Sequence, residues 1–208
     1  MKLLPCGDAA LLAELDDLSA VLALTAAIDA ERESGALPDV IDVVPASRTV
    51  LVRCRPAEGV LGRTAERLTG LDVLDHASGE GPHVEIEVSY DGPDLADVAG
   101  LTGLSEDDVV RLHTEAEWTV AFTGFLPGFG YLVGGDERLT VPRRDESRTK
   151  VPAGSVGLAG EFTGAYPRES PGGWQLIGRT EARLWDPDRE PPALLAPGTR
   201  VRFVRVDP

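Results

Sequence analysis

The sequence predicts an α+β protein in two parts: a ferredoxin-like α+β domain over residues 1–90, then a β-rich domain over residues 91–208. Three observations carry this. In the first ninety residues, short β-branched or alternating apolar runs interleave with two helical periodicities, in the order β-β-α-β-β-α-β. Residues 122–183 then hold 12 of the 23 glycines, four of the five phenylalanines and five prolines, a composition suited to strands joined by tight turns. Finally, 208 residues at 42% hydrophobic content suffice to bury one large core or two small ones.

The elements follow in order. Leu3 to Cys6 is a short apolar run, Gly7-Asp8 turns the chain, and Ala9 to Leu15 reads as a strand. Asp16 or Asp17 can cap a helix whose apolar positions Val21, Leu22, Leu24, Thr25 and Ile28 recur at helical spacing, with Gly35 as its terminator. Val40 to Val44 and Val50 to Cys54 read as paired strands around a turn near Ala46-Ser47. Pro56 is expected to start a second helix that Gly70 ends. Val84, Ile86 and Val88 alternate with Glu85 and Glu87, and are read as the last strand of the first domain. The polar stretch 76–83 is its connection. After the turn Asp91-Gly92-Pro93-Asp94 comes a short helix from Leu95. Ser105 with Asp108 three residues later marks the start of another, running to about Thr114.

Charge and motifs exclude several classes. A net charge of −15 with no Lys/Arg-rich run argues against nucleic acid and anionic membranes as partners. No basic stretch followed by an apolar one opens the chain, so a cytoplasmic location with Cys6 and Cys54 as reduced thiols is expected. Cys/His spacing fits no zinc site, so no metal is expected. No phosphate-binding glycine loop, dinucleotide fingerprint or nucleophile elbow is present.

Candidate site residues concentrate in residues 113–183. His113 at a helix end either exchanges protons near neutral pH or caps the helix carbonyls. Tyr131 is the aromatic whose hydroxyl needs a partner, whereas Phe122, Phe125 and Phe129 read as core. Arg143, Arg144, Arg148 and Lys150 place four cations in eight residues of an acidic chain. Such a cluster is either a solvated hairpin loop or a site for carboxylate or phosphate. Gly154-Ser155 and Gly172-Gly173 can present backbone N–H groups to an anion. Gln175 and Arg179, four apart on a strand, would share one face. Tyr166 and Trp174 either anchor a partner interface or plug the end of the domain.

The same region carries ordered motifs: Phe122-x-Gly124-Phe125-x-Pro127-Gly128-Phe129-x-Tyr131, Pro142-Arg143-Arg144, Arg148-x-x-Val151-Pro152-Ala153-Gly154-Ser155-Val156-Gly157, Thr163-Gly164-x-Tyr166-Pro167, and Ser170-Pro171-Gly172-Gly173-Trp174-Gln175-Leu176-Ile177-Gly178-Arg179-Thr180. In this order and spacing they resemble the allophanate hydrolase subunit 1 family. That family includes the B-type subunit of bacterial ATP-dependent 5-oxoprolinase and the sporulation kinase inhibitor KipI. Ser147 stands where the family has proline, and Lys150 where it commonly has arginine.

The resemblance implies a cyclophilin-like β-barrel as the second domain. Gly124 and Val133 replace the arginine and glutamine of true cyclophilins, which argues against prolyl isomerase activity. It further implies one component of a hetero-oligomeric ATP-dependent amidohydrolase that converts 5-oxo-L-proline to L-glutamate, inactive alone. The partners would be a larger C-type subunit, akin to allophanate hydrolase subunit 2 or KipA, and an A-type subunit; ATP would be used by the complex. In that reading Arg148, Lys150 and Arg179 hold the substrate carboxylate or a phosphoryl group. Ser155 and its neighbouring N–H groups take the oxyanion, and His113 or Tyr131 moves protons. The alternatives are a KipI-like inhibitor docking on a sensor histidine kinase, and a component related to urea carboxylase.

Overall fold

The computed structural model describes residues 1–71 and 81–207. The chain divides into two compact units, Met1–Gly79 and Glu80–Pro208.

In the first unit, β1 (Lys2–Pro5), β2 (Ala10–Glu14), β3 (Val40–Pro45) and β4 (Thr49–Cys54) form an antiparallel sheet in the order β1-β2-β4-β3. Helices α1 (Leu18–Glu33) and α2 (Val60–Thr69) pack Val21, Leu24, Ile28, Val60 and Leu68 against Leu11, Ala13, Val50 and Val52. Asp17 caps α1 by accepting from the Ala20 N–H at 2.8 Å. The helix after Pro56 starts later than expected, because Gly59 adopts φ 74, a left-handed conformation no helical residue has.

The expected last strand of this unit belongs elsewhere. β5 (His83–Val88) buries Ile86 and Val88 in the core of the second unit and runs parallel to β13 (Arg200–Arg205) from His83–Arg200 to Val88–Arg205. The division therefore falls at residue 79, not near 90. In the first sheet β1 fills the edge beside β2. The stretch expected to connect the domains lies largely outside the described residues, His76 included.

The second unit continues with α3 (Leu95–Thr102), α4 (Glu106–Glu115), β6 (Trp118–Thr123), β7 (Gly130–Val133), β8 (Arg148–Val151), β9 (Ser155–Ala159), β10 (Phe162–Ala165), β11 (Ser170–Gly172) and β12 (Gln175–Arg179). Ser105 caps α4 as its spacing predicts, accepting from the Asp108 N–H at 3.1 Å. Seven strands run in the order β12-β9-β10-β7-β6-β13-β5. Just past β5, Ser89 exchanges two 2.9 Å backbone hydrogen bonds with Arg179 at the end of β12. The sheet thus curls into a nearly closed barrel, with Trp118, Val120, Leu132, Val156, Leu158, Ile177 and Phe203 in its core. A separate ribbon, β8 with β11, carries the basic loop. Among the described residues, no helix is long and apolar enough to cross a membrane.

Candidate functional site

In the second unit, aromatic side chains from β7, the segment just after β10 and the loops before β7 and β12 wall a cleft of about 230 Å³. The rings meet edge to face: Phe129 lies 5.2 Å from Tyr166 and 5.3 Å from Trp174, and Tyr131 lies 5.6 Å from Trp174. This is the geometry favoured by ring quadrupoles. Gly172 permits it, since a Cβ there would sit 2.5 Å from the Tyr166 hydroxyl. Trp174 and Tyr166 are buried, 4% and 2% exposed. Of the two roles considered for them, this burial, within a cluster that includes Phe129 and Leu176, agrees with the packed one; both also line the cleft.

The exposed aromatic is Phe125 at the cleft mouth, 57% accessible. It is also the one non-glycine with positive φ among the described residues, at 66°. The Leu126 N–H reaches back to the Gly124 carbonyl at 2.7 Å. That φ and that bond make a strained γ-turn, which no sequence motif had indicated. Backbone strain of this kind concentrates at functional sites.

One cation faces the cleft. Arg143 lines it, and no carboxylate lies within ion-pairing distance of Arg143 among the described residues. Burial raises the Tyr131 phenol above its ordinary pKa and pushes Tyr166 up to about 12, with the Arg143 charge opposing in both cases. Both phenols are therefore neutral hydrogen-bond donors at physiological pH. Ser147 and Gly172-Gly173 complete the polar lining.

The other expected cations are committed elsewhere. Arg144 Nη1 and Arg148 Nη2 donate to the same oxygen of buried Asp94, at 2.7 and 2.6 Å. Lys150 pairs with Glu169 at 3.1 Å and Arg179 with Asp91 at 2.9 Å, both exposed. Gln175 is buried and donates to the Pro142 carbonyl at 3.2 Å. It does not share a face with Arg179, because a register shift between Leu176 and Gly178 changes the alternation.

Ser155 and His113 also differ from expectation. Ser155 is buried outside the cleft; its N–H goes to Pro152 O and the Gly154 N–H to Tyr166 O, which leaves neither for an oxyanion. His113 is fully buried in the barrel, stacked 4.4 Å from Phe203. Thr163 donates its hydroxyl hydrogen to the Gly157 carbonyl at 3.1 Å, so it accepts from His113 Nε2–H at 2.9 Å. Nδ1 then accepts from the Tyr90 hydroxyl at 2.7 Å. Burial drives the imidazole pKa down to about 3. His113 is a neutral structural residue with both nitrogens used, neither a proton carrier for substrate nor a helix cap.

A larger, open groove of about 720 Å³ lies beside α3 and shares Arg143 with the aromatic cleft. Its charged lining is Asp97, Asp145 and Glu146 against Arg143 and Arg144. Neither depression fits ATP. The cleft is below the usual 300–1,000 Å³ of pockets for ligands of that size. In the groove, carboxylates outnumber the arginines, one of which is spent on Asp94.

The family model for the carboxyltransferase domain, subdomains C and D, matches residues 1–195. The chain is 46% identical over 172 residues to the B-type subunit of 5-oxoprolinase from Escherichia coli O157:H7, covering 81% of this chain and 79% of the relative. It is 44% identical over 154 residues to the B-type subunit of 5-oxoprolinase from Bacillus subtilis strain 168, covering 73% and 63%. The crystal structure of Kluyveromyces lactis urea carboxylase superposes over 98% of this chain and 21% of its own, with a TM-score of 0.77 at 19% identity, and so shares the fold. The chain thus spans less than two thirds of the B. subtilis relative and about a fifth of the urea carboxylase.

Proposed function

The chain belongs to the carboxyltransferase family of subdomains C and D, and from that premise we propose that it is the B-type subunit of a 5-oxoprolinase-type complex. The reaction is hydrolysis of the lactam C–N bond of 5-oxo-L-proline to give L-glutamate, coupled to cleavage of ATP to ADP and phosphate. A larger C-type subunit, with an A-type subunit, supplies what this chain lacks. Relatives named for the B-type subunit, at 44–47% identity, support the reading.

One observation carries it: Arg143, without a carboxylate partner, stands in a small aromatic-walled cleft beside two neutral phenols. A small ring bearing one carboxylate matches that cleft. The guanidinium takes the carboxylate, the aromatic faces take the ring methylenes, and the Tyr131 hydroxyl is placed to donate to the lactam oxygen. ATP does not enter this cleft, and no step on this chain runs through it.

The test is turnover by the co-purified subunits, read as 5-oxoproline-dependent ATP hydrolysis. A charge-assisted hydrogen bond contributes roughly 1.5–3 kcal/mol. Arg143→Ala should therefore raise KM for 5-oxoproline about 10- to 100-fold. ATP hydrolysis indifferent to 5-oxoproline, or an Arg143→Ala complex with unchanged KM, would sink the reading.

A further inference from the structure

We infer that Asp94 is a positioning residue: it clamps the basic loop so that Arg143 alone among its arginines faces the cleft. The inference rests on the reading above, in which Arg143 binds the substrate carboxylate.

Asp94 is 1% exposed and stands at the N-cap of α3, yet its side chain makes no capping bond. One carboxylate oxygen accepts from Arg144 Nη1 and Arg148 Nη2; the other accepts from the Leu176 N–H at 2.7 Å. The Asp94 N–H donates to the Leu176 carbonyl at 2.9 Å, which fixes the carboxylate against β12. A side-chain type that normally caps helices is here spent wholly on the barrel wall and the basic loop.

The loop is pinned on both sides of Arg143. Before it, the Pro142 carbonyl accepts from Gln175. After it, the Arg144 N–H donates to the Gly173 carbonyl at 2.8 Å, while the Arg144 and Arg148 side chains reach Asp94. Two guanidiniums on one oxygen repel each other, and it is their shared attraction to the Asp94 carboxylate that offsets this. The arrangement also leaves Arg144 Nε and Arg148 Nη1 buried without partners. Both guanidiniums are thus turned toward Asp94, away from the cleft. The clamp withdraws two of the three arginines from the ligand's anion and holds the backbone that carries the third.

A double-mutant cycle in the co-purified complex tests this, reading KM and kcat for 5-oxoproline together with the chain's thermal midpoint. Asp94→Asn should raise KM about 10-fold or more with a smaller change in kcat. It should add less than about 2-fold to the KM of Arg143→Ala, because a clamp with nothing to aim has no further effect. If Asp94→Asn does not fold, Arg148→Ala, which removes one arm and leaves the buried carboxylate its bond to Arg144, takes its place in the cycle. Unchanged or lowered KM in the clamp variant overturns the inference, as do losses that multiply fully in the double variant; the cleft reading stands in both cases. An Arg143→Ala variant with wild-type KM overturns the cleft reading itself, and the clamp with it.

Discussion

Acid should destabilise this protein through His113, beginning near pH 6.5. The imidazole is neutral in the folded state, with a pKa driven down by burial to about 3. Unfolded, it returns to about 6.5. Between those values the unfolded chain binds a proton that the folded chain refuses, so stability falls as pH falls. The slope approaches about 1.4 kcal/mol per pH unit below pH 6, which integrates to about 2 kcal/mol between pH 6.5 and 4.5. That is a large share of the 5–15 kcal/mol typical of a domain. The groups facing the ring are Tyr90, Thr163, Trp118 and Phe203, none of which supplies a negative charge to an imidazolium. Asp136, held down to about 2 by hydrogen bonds from Arg138, loses its contribution only at lower pH. The assay is urea unfolding at pH 7.5, 6.5, 5.5 and 4.5, for wild type and for His113→Gln, which cannot gain the proton. Wild type should weaken steeply below pH 6.5 while the variant, less stable at neutral pH, stays nearly flat. Parallel pH profiles for the two proteins would refute the reasoning.

Trp174→Ala should destabilise the second unit by about 3–5 kcal/mol in urea unfolding, the cost of emptying a buried aromatic site; a loss below about 1 kcal/mol would show that the ring is not part of the packed cluster. Lys150→Ala and Arg179→Ala each remove an exposed ion pair and should change stability by under about 1 kcal/mol. Both should leave KM for 5-oxoproline within about 2-fold of wild type in the same turnover assay, and a 10-fold rise in either would return that residue to the substrate site.

What the sequence disclosed was local. Asp17, Gly35, Ser105 and Asp108 act through bonds spanning a few residues, and their elements lie where those signals place them. The strand at 83–88 was legible as a strand but not as part of the barrel, because its partner begins at Arg200 and nothing in an alternating run names a ladder partner more than a hundred residues on. The basic loop was legible as a charge cluster. Which arginine stays free was not, since that depends on Asp94, fifty residues upstream and written like an ordinary turn residue after Gly92-Pro93. Gln175 and Arg179 looked like neighbours on one face until a single register shift separated them. Phe125 had no reason in its sequence to adopt positive φ; only the closed loop from Gly124 to Phe129 imposes it.

The lining of the cleft sets a limit on what this chain does to a bound ring. Its polar groups are one guanidinium, two phenols held neutral by burial, one serine and the backbone of two glycines. No carboxylate, imidazole or thiol lines it, and His113 of the barrel is sealed in the core. Such a set binds an anion, orients it and donates hydrogen bonds; it has no group able to take a proton near neutral pH. Opening a lactam requires activation of its carbonyl oxygen, here by a phosphoryl group from ATP with release of ADP, and a water to attack the carbonyl carbon as the C–N bond breaks and phosphate leaves. Under the proposed reading the rest of the complex supplies the phosphoryl group and activates the water, across the open mouth where Phe125 projects. The positive φ at Phe125 sets its ring at that mouth, edge to face with Phe129 and Tyr166 on one side and open to solvent on the other.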